Sequence, residues 1–348
     1  MISTSNAGFP TSEQRALAES VRALLAAGNP DPWPRLCAEI GVAALEIPEE
    51  YGGFGAGVAE TQVVLEELGR VLAPGPMLGS VVLAGQALLA SRDEAACARL
   101  LPDIASGEST AALAWTGVEG DWAAPALRAE DGYLSGTAHY VLDGAAADIL
   151  LAFAETGDGI GLFELGEGAD VRAVATLDPG RPLARVTADR VPATRIGGEL
   201  GDALGPLRDR ACLALGAESL GAAAHCLEQT IAYCGQRVQF GRPIGSFQAI
   251  KHRLADAHVQ LEAARSACCA AAAEPGPERS AIARIQSSEA FSAIAAEMIQ
   301  LHGGIAITAE HEAHHYFKRA HGSAVLFGSP RAQLARLGAN WLSEPVPT

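Results

Sequence analysis

The chain has 348 residues, 49% of them hydrophobic and 19% charged, with a formal charge of −16; this composition suits a packed globular protein of two or three domains, and disorder is not expected. The acidic excess disfavours nucleic acid, whose phosphates require clustered Lys and Arg, and an anionic ester would need local basic residues to hold it. Apolar runs such as Ile149 to Ala154 fall far short of the roughly 20 residues of a membrane span, and no basic region followed by an apolar segment opens the chain. A soluble, cytoplasmic protein with no membrane partner is expected. Seven cysteines, at 37, 97, 212, 226, 234, 268 and 269, lack metal-ligand spacing and read as reduced, mostly buried thiols.

From Ser12 to about Gly107 the pattern is helical: Leu17, Val21, Leu24 and Leu25 recur at spacings of three and four, and the segment from Thr61 to Val71 does likewise. Pro30, Pro32 and Pro34 punctuate the first break, while Gly52, Gly53, Gly55 and Gly57 form a loop whose spacing is not that of a dinucleotide fingerprint. Between Thr110 and about Gly198 come short strand-like pieces: Ala111 to Trp115, Tyr133 to Ser135, His139 to Leu142, Ile149 to Phe153, Ile160 to Leu165 and Leu183 to Val186. No clear signal marks Ala123 to Ala129. The pieces predict a small β-barrel or sandwich.

From Leu207 onward helices return. Leu213, Ala217, Leu220, Ala224, Leu227 and Ile231 form one stripe, Ile250, Leu254, Ala257, Leu261 and Ala264 a second, and Phe291, Ile294, Met298 and Leu301 a third, as in the core of a helical bundle. Glu274-Pro275-Gly276-Pro277 is a helix-to-helix loop. The expected fold is therefore α+β and mostly α, with a helical domain over 1–108, a β domain over 109–204 and a four-helix-type bundle over 205–348.

Arg237-Val238-Gln239-Phe240-Gly241-Arg242-Pro243-Ile244-Gly245-Ser246-Phe247-Gln248, followed later by Gln300-Leu301-His302-Gly303-Gly304, places an arginine, an aromatic ring, amides and glycines at helix ends. Arg supplies a permanently charged fork for phosphate oxygens, and Gly lets a backbone N–H approach closely. An amide such as Gln248, near a helix start, can read an adenine edge. This run resembles the carboxy-terminal signature of flavin-dependent acyl-CoA dehydrogenases, and Pro48-Glu49-Glu50-Tyr51-Gly52-Gly53 with Leu65-Glu66-Glu67-Leu68-Gly69 resembles that family's amino-terminal helical domain. The resemblance implies the same domain order, an acyl-CoA substrate, FAD as cofactor and an electron-transfer flavoprotein or similar acceptor. It also implies that Arg237, Phe240, Gln248, Gln300, Gly303 and Gly304 reach the adenine-side half of FAD across a subunit interface. Ala306 departs from the glycine usual in that family.

Desaturating an acyl thioester needs a carboxylate to take the α-proton while hydride leaves the β-carbon for the flavin. In the resembling family that glutamate occupies one of two places, which here hold Phe327 and Ala211. Asp209 lies about 200° around the helix from Ala211 and becomes a base only if the register slips; otherwise it reads as an exposed first-turn acid suited to the helix dipole. The loops that hold the flavin ring in the family are altered as well: Trp115-Thr116-Gly117-Val118-Glu119-Gly120-Asp121-Trp122 lacks Gly-Ser-Asp, and Tyr140-Val141-Leu142 ends without a hydroxyl. The resemblance therefore points to a base-deficient subunit of an α2β2 acyl-CoA dehydrogenase with two flavins, of the kind serving steroid and other bulky acyl-CoA esters, in which a related subunit supplies the carboxylate. Two alternatives stand beside it, a self-sufficient homomer with an unusual base such as Asp209, and a flavin-free structural or regulatory subunit.

Glu310, His311, Glu312, His314, His315 and His321 cluster in sequence, and Glu312-Ala313-His314-His315 matches one Glu-x-x-His, but the second motif of a di-iron bundle is missing; surface imidazoles on a helix are expected, and no metal. Cys268 and Cys269 read as packed thiols. Glu218 and His225 share a helix face, which suggests a buried polar contact at a subunit interface. No Gly-x-Ser-x-Gly elbow supports a serine hydrolase.

Overall fold

Thr11 starts the first helix with a capping box: its hydroxyl accepts from the Gln14 N–H, and the Gln14 side chain accepts from the Thr11 N–H. α1 (Ser12–Leu25) follows, in a computed structural model that describes residues 10–343; the extreme ends of the first and third sequence segments lie outside the described residues. α2 (Trp33–Arg35) runs into the π-helical turn Leu36–Ile40, and α3 (Val58–Arg70) follows. A π-helical stretch, Met77–Gly85, leads into α4 (Gln86–Ser91), and α5 (Glu94–Ser106) completes this layer.

The middle of the chain contains β1 (Ala111–Ala114), β2 (Leu127–Glu130), β3 (Tyr133–Leu142), β4 (Ile149–Thr156), β5 (Gly159–Leu165), β6 (Asp170–Val174) and β7 (Leu183–Ile196). The order β1-β4-β2-β3-β7-β5 is closed by pairing of β4 with β5, and β6 lies on β7, so the sheet is a barrel. β2 falls in the stretch that carried no clear signal. Leu-Arg-Ala-Glu has no β-branched residue, and its pairing with both β3 and β4 decides its conformation. β6 was also missed, β3 is one strand where two were expected, and β7 continues well past Val186 because its second half pairs with β5.

α6 (Gly201–Gln236) begins the bundle earlier than expected. A hairpin of β8 (Val238–Gln239) and β9 (Arg242–Pro243) links it to α7 (Gln248–Ala273), and α8 (Pro277–His302), α9 (Ala313–Ser323) and α10 (Pro330–Ser343) follow. α6 crosses α3 so closely that a Cβ on Gly221 would meet the Glu66 carbonyl oxygen at 1.8 Å. The first stripe is buried as predicted up to Leu227, but Ile231 is exposed while Thr230 and Cys234 beside it are buried, so the covered face has rotated off the stripe by the last turns of α6. Residues 277–307 are long and apolar enough by composition to cross a membrane. In the bundle, however, Ala283, Ala290, Phe291, Ile294, Ala295 and Met298 of this segment face the core. All seven cysteines are free, and burial pushes the Cys268 thiol up to about 12.

Candidate functional site

The residues singled out for dinucleotide contact are brought to one end of the bundle. Arg237 ends α6, and its N–H donates to the Tyr233 carbonyl at 2.8 Å. Phe240 and Gly241 form the two-residue turn between β8 and β9, both in left-handed conformations, φ +54° and +78°. That is a primed hairpin turn, which normally favours Asn-Gly; a phenylalanine there is strained. Phe240 is nevertheless 92% exposed, with its ring edge to face with Phe247 at 6.1 Å. The Arg242 guanidinium lies 4.0 Å from the centre of the Phe247 ring, and Gln248 is the first residue of α7.

The second segment reaches the same end from α8. Gln300 is exposed, and Gly303 takes φ +68°, ψ −145°, a conformation open essentially to glycine alone. A Cβ on Gly303 or Gly304 would meet nothing within 4 Å, so the outer face of this turn is free for close approach. The Tyr233 hydroxyl donates to the His302 carbonyl at 3.3 Å and so ties the two segments together. Among the described residues, the side chains of Arg237, Gln248 and Gln300 have no hydrogen-bond partner. Val238, Ile305 and Ile307 surround this end and are at least half exposed. The Ala306 methyl is fully buried in the bundle core, where a glycine would leave a gap.

Where the reacting groups were sought, the interior is filled. Phe327 and Ala211 are both at 0% exposure in one apolar core. Phe327 packs against Trp122 at 4.8 Å, Trp122 against Trp115 at 5.6 Å, and Trp115 against Phe153 at 5.4 Å, all tilted edge to face, the favourable geometry for aromatic pairs. The Phe327 carbonyl accepts from Gln333 Nε2 at 2.7 Å. Leu142 is buried, and the Thr116 hydroxyl donates to the Asp121 carbonyl at 2.7 Å. Arg284, fully buried, donates from Nη2 to the carbonyls of Ser323 and Leu326 and so fixes the chain just before Phe327.

Asp209 is not the exposed first-turn acid expected, because α6 starts at Gly201 and carries it inward. It is buried and paired with Arg336; burial pushes its carboxyl above the ordinary range, with Arg336 opposing. Glu218 and His225 do not meet one another. Glu218 is buried between Arg181 and Arg319, and Arg319 also pairs with Asp178. Glu218, Arg181 and Arg319 line a cavity of about 190 Å³ with Leu142 and Asp143. Burial pushes Asp143 up to about 6. Sequence reasoning missed this network and Arg284; for Arg284 the signal was an arginine placed inside an otherwise apolar stretch of helix.

His225 instead pairs with Glu312 at 3.0 Å, which lowers the Glu312 carboxyl, and it stacks on Tyr316 at 4.9 Å. Both ring nitrogens of His314 are buried without a partner, so this region is not simply a row of surface imidazoles. No group of three His, Cys, Asp or Glu that could hold a metal occurs among the described residues. A larger cleft of about 700 Å³ lies between α4 and the start of α6, lined by Gln86, Arg92, Glu199 and Arg210 among others.

Residues 11–108 match the acyl-CoA dehydrogenase N-terminal domain and residues 209–342 the acyl-CoA dehydrogenase C-terminal domain. The chain is 43% identical to acyl-CoA dehydrogenase IpdE2 of Mycobacterium tuberculosis over 316 residues, which cover 90% of this chain and 87% of the relative. Among solved structures it is similar to the ChsE4-ChsE5 complex of Mycobacterium tuberculosis, at 29% identity and a TM-score of 0.89, covering 97% of this chain and 99% of the other. It is also similar to a variant of the Tcur3481-Tcur3483 steroid ACAD, at 30% identity and a TM-score of 0.82, covering 96% and 98%.

Proposed function

The chain belongs to the acyl-CoA dehydrogenase family, and from that premise we propose that it is one subunit of an α2β2 enzyme, closing the adenine and pyrophosphate side of an FAD whose catalytic carboxylate comes from a related partner subunit. FAD, when bound, takes up the hydride released as an acyl-CoA thioester becomes its 2-enoyl ester. The residues of this chain fit one half of that group. Arg237 offers an unpaired guanidinium to the pyrophosphate, Phe240 an exposed face for an aromatic base, Gln248 and Gln300 free amides, and Gly303 and Gly304 an open turn. They do not fit the other half, whose family positions are filled by Trp115, Trp122 and Leu142 inside the core.

The observation that carries this reading is that both places for the base hold side chains without a proton acceptor, Phe327 and Ala211, at 0% exposure. Asp209, committed to Arg336, supports no self-sufficient enzyme. The exposed apolar residues around the bundle end, Val238, Phe240, Ile305 and Ile307, suit coverage by another subunit. The similar ChsE4-ChsE5 complex and the Tcur3481-Tcur3483 steroid ACAD support a heteromer, the second also a bulky acyl-CoA such as a steroid ester; the cytoplasm and an electron-transfer flavoprotein or similar acceptor complete the proposal.

Co-expression with the related subunit, followed by native mass and flavin analysis, tests the proposal. Two FAD per four chains are expected, with none bound to this chain alone. Arg237→Ala should weaken FAD binding by the complex about tenfold or more, the scale of one lost charge-assisted hydrogen bond. A homomer with one FAD per chain would overturn the reading.

A further inference from the structure

The two segments that form the bundle end are far apart in sequence, and one side chain joins them. Tyr233 lies one turn before Arg237 and accepts the Arg237 N–H on its backbone carbonyl. Its hydroxyl donates to the carbonyl of His302, the residue immediately before Gly303, and its ring stacks on the His302 ring at 4.3 Å with 25° between the planes. The His302 ring is itself held. Nδ1 donates to the Met298 carbonyl at 2.8 Å, and the ring of His311 stands edge-on at 4.7 Å. His311 Nδ1 in turn accepts from the Ala313 N–H at 3.1 Å.

We propose that Tyr233 and His302 are a positioning pair, which sets the spacing between the Arg237–Phe240 loop and the Gln300–Gly304 turn so that both reach one dinucleotide. This rests on the proposed role of the bundle end in holding FAD. The pair works with an uncharged His302 ring. The ring is 7% exposed, sandwiched between Tyr233 and His311, and burial holds its pKa below the ordinary histidine range. The bond to the Met298 carbonyl opposes this, His311 pushes in the same direction as burial, and Glu312, shared with His225, opposes it; Tyr233 on α6 stacks on the ring, and Tyr316 on α9 stacks on His225 beside it. Because the folded state favours the neutral ring, the arrangement is intact at neutral pH and is lost as pH falls below the usual histidine range.

The test uses the co-expressed complex and measures FAD dissociation by the fluorescence of released flavin, with native mass confirming assembly. Tyr233→Phe keeps the stack and removes the hydroxyl; it should weaken FAD binding about three- to tenfold, the scale of one neutral hydrogen bond. Tyr233→Leu, which loses the stack as well, should weaken it further. The natural complex is expected to release more FAD as pH falls from about 7 to about 5; His302→Phe keeps an aromatic ring that cannot titrate, and it should flatten that rise. A purely structural role would leave that profile unchanged. If Arg237→Ala weakens FAD binding while both Tyr233 variants leave it unchanged, the positioning pair is overturned and the proposed function stands. If Arg237→Ala also has no effect, both fall. A His302→Phe complex with the natural pH profile would overturn the requirement for a neutral ring.

Discussion

Phe240 and Phe327 both hold left-handed backbones, at φ +54° and +57°, yet their side chains have opposite surroundings. Phe327 is at 0% exposure, packed on Trp122 at 4.8 Å, with its carbonyl bonded to Gln333. Phe240 is 92% exposed. A left-handed residue other than glycine costs roughly 1–2 kcal/mol, and at Phe327 burial of a large ring offsets that cost. At Phe240, among the described residues, the ring contact recorded is the edge-to-face one with Phe247, and the side chain stays 92% exposed. Strain left uncompensated inside a subunit is expected where a ligand or partner completes the contact, so the two residues separate the part of the molecule shaped for stability from the part shaped for something outside it.

The comparison can be broken first at Phe327. Phe327→Glu places a carboxylate where we propose the family's base would stand but buries it without a partner, so we expect a loss of several kcal/mol and no dehydrogenase activity from the chain alone. Denaturant unfolding and an acyl-CoA assay check this; a stable, active variant would mean that the interior still accommodates the chemistry.

Next in size is Asp143, beside the filled interior. Its carboxyl, raised by burial to about 6, is held protonated more firmly in the folded state than in the unfolded chain. The stability this contributes is present below the ordinary aspartate range and is lost as pH rises through about 6. Asp143→Asn should therefore stabilise the protein at pH 7.5 by at most about 3 kcal/mol and give no gain near pH 4. Urea midpoints at the two pH values measure it, and an equal effect at both would sink the idea.

The smallest effect on stability falls at Phe240. Asparagine tolerates the left-handed turn better, so Phe240→Asn should change stability by no more than about 1 kcal/mol and in the stabilising direction. The same change should weaken FAD binding by the complex, since stacking of an aromatic side chain on a base is worth about 1–3 kcal/mol. A variant that gained stability and kept full FAD affinity would remove Phe240 from the site.

The sequence made the helices legible because their apolar residues recur at three and four over long stretches, and the residues at the bundle end because Arg, Phe, Gln and Gly stand together at helix ends. β2 and β6 were not legible, since short segments such as Leu-Arg-Ala-Glu become strands only through their neighbours. Glu218 and His225 illustrate a second limit. Helical spacing placed them on one face, but each is claimed by a residue remote in sequence, Arg181 and Arg319 for one and Glu312 for the other. Asp209 illustrates a third, because where it lies depends on where α6 begins, and helix ends are the least certain part of a periodic pattern.

α6 carries Ala211 near its start and Arg237 at its end. At 1.5 Å per residue the two are about 39 Å apart along one continuous rod. Sites separated by such a distance with no shared partners contribute to free energies additively. One helix can therefore change at one end while the energetics of the other end stay as they are. A double variant altering both ends should show no coupling beyond about 0.5 kcal/mol, which makes α6 a spacer between two separately inherited properties.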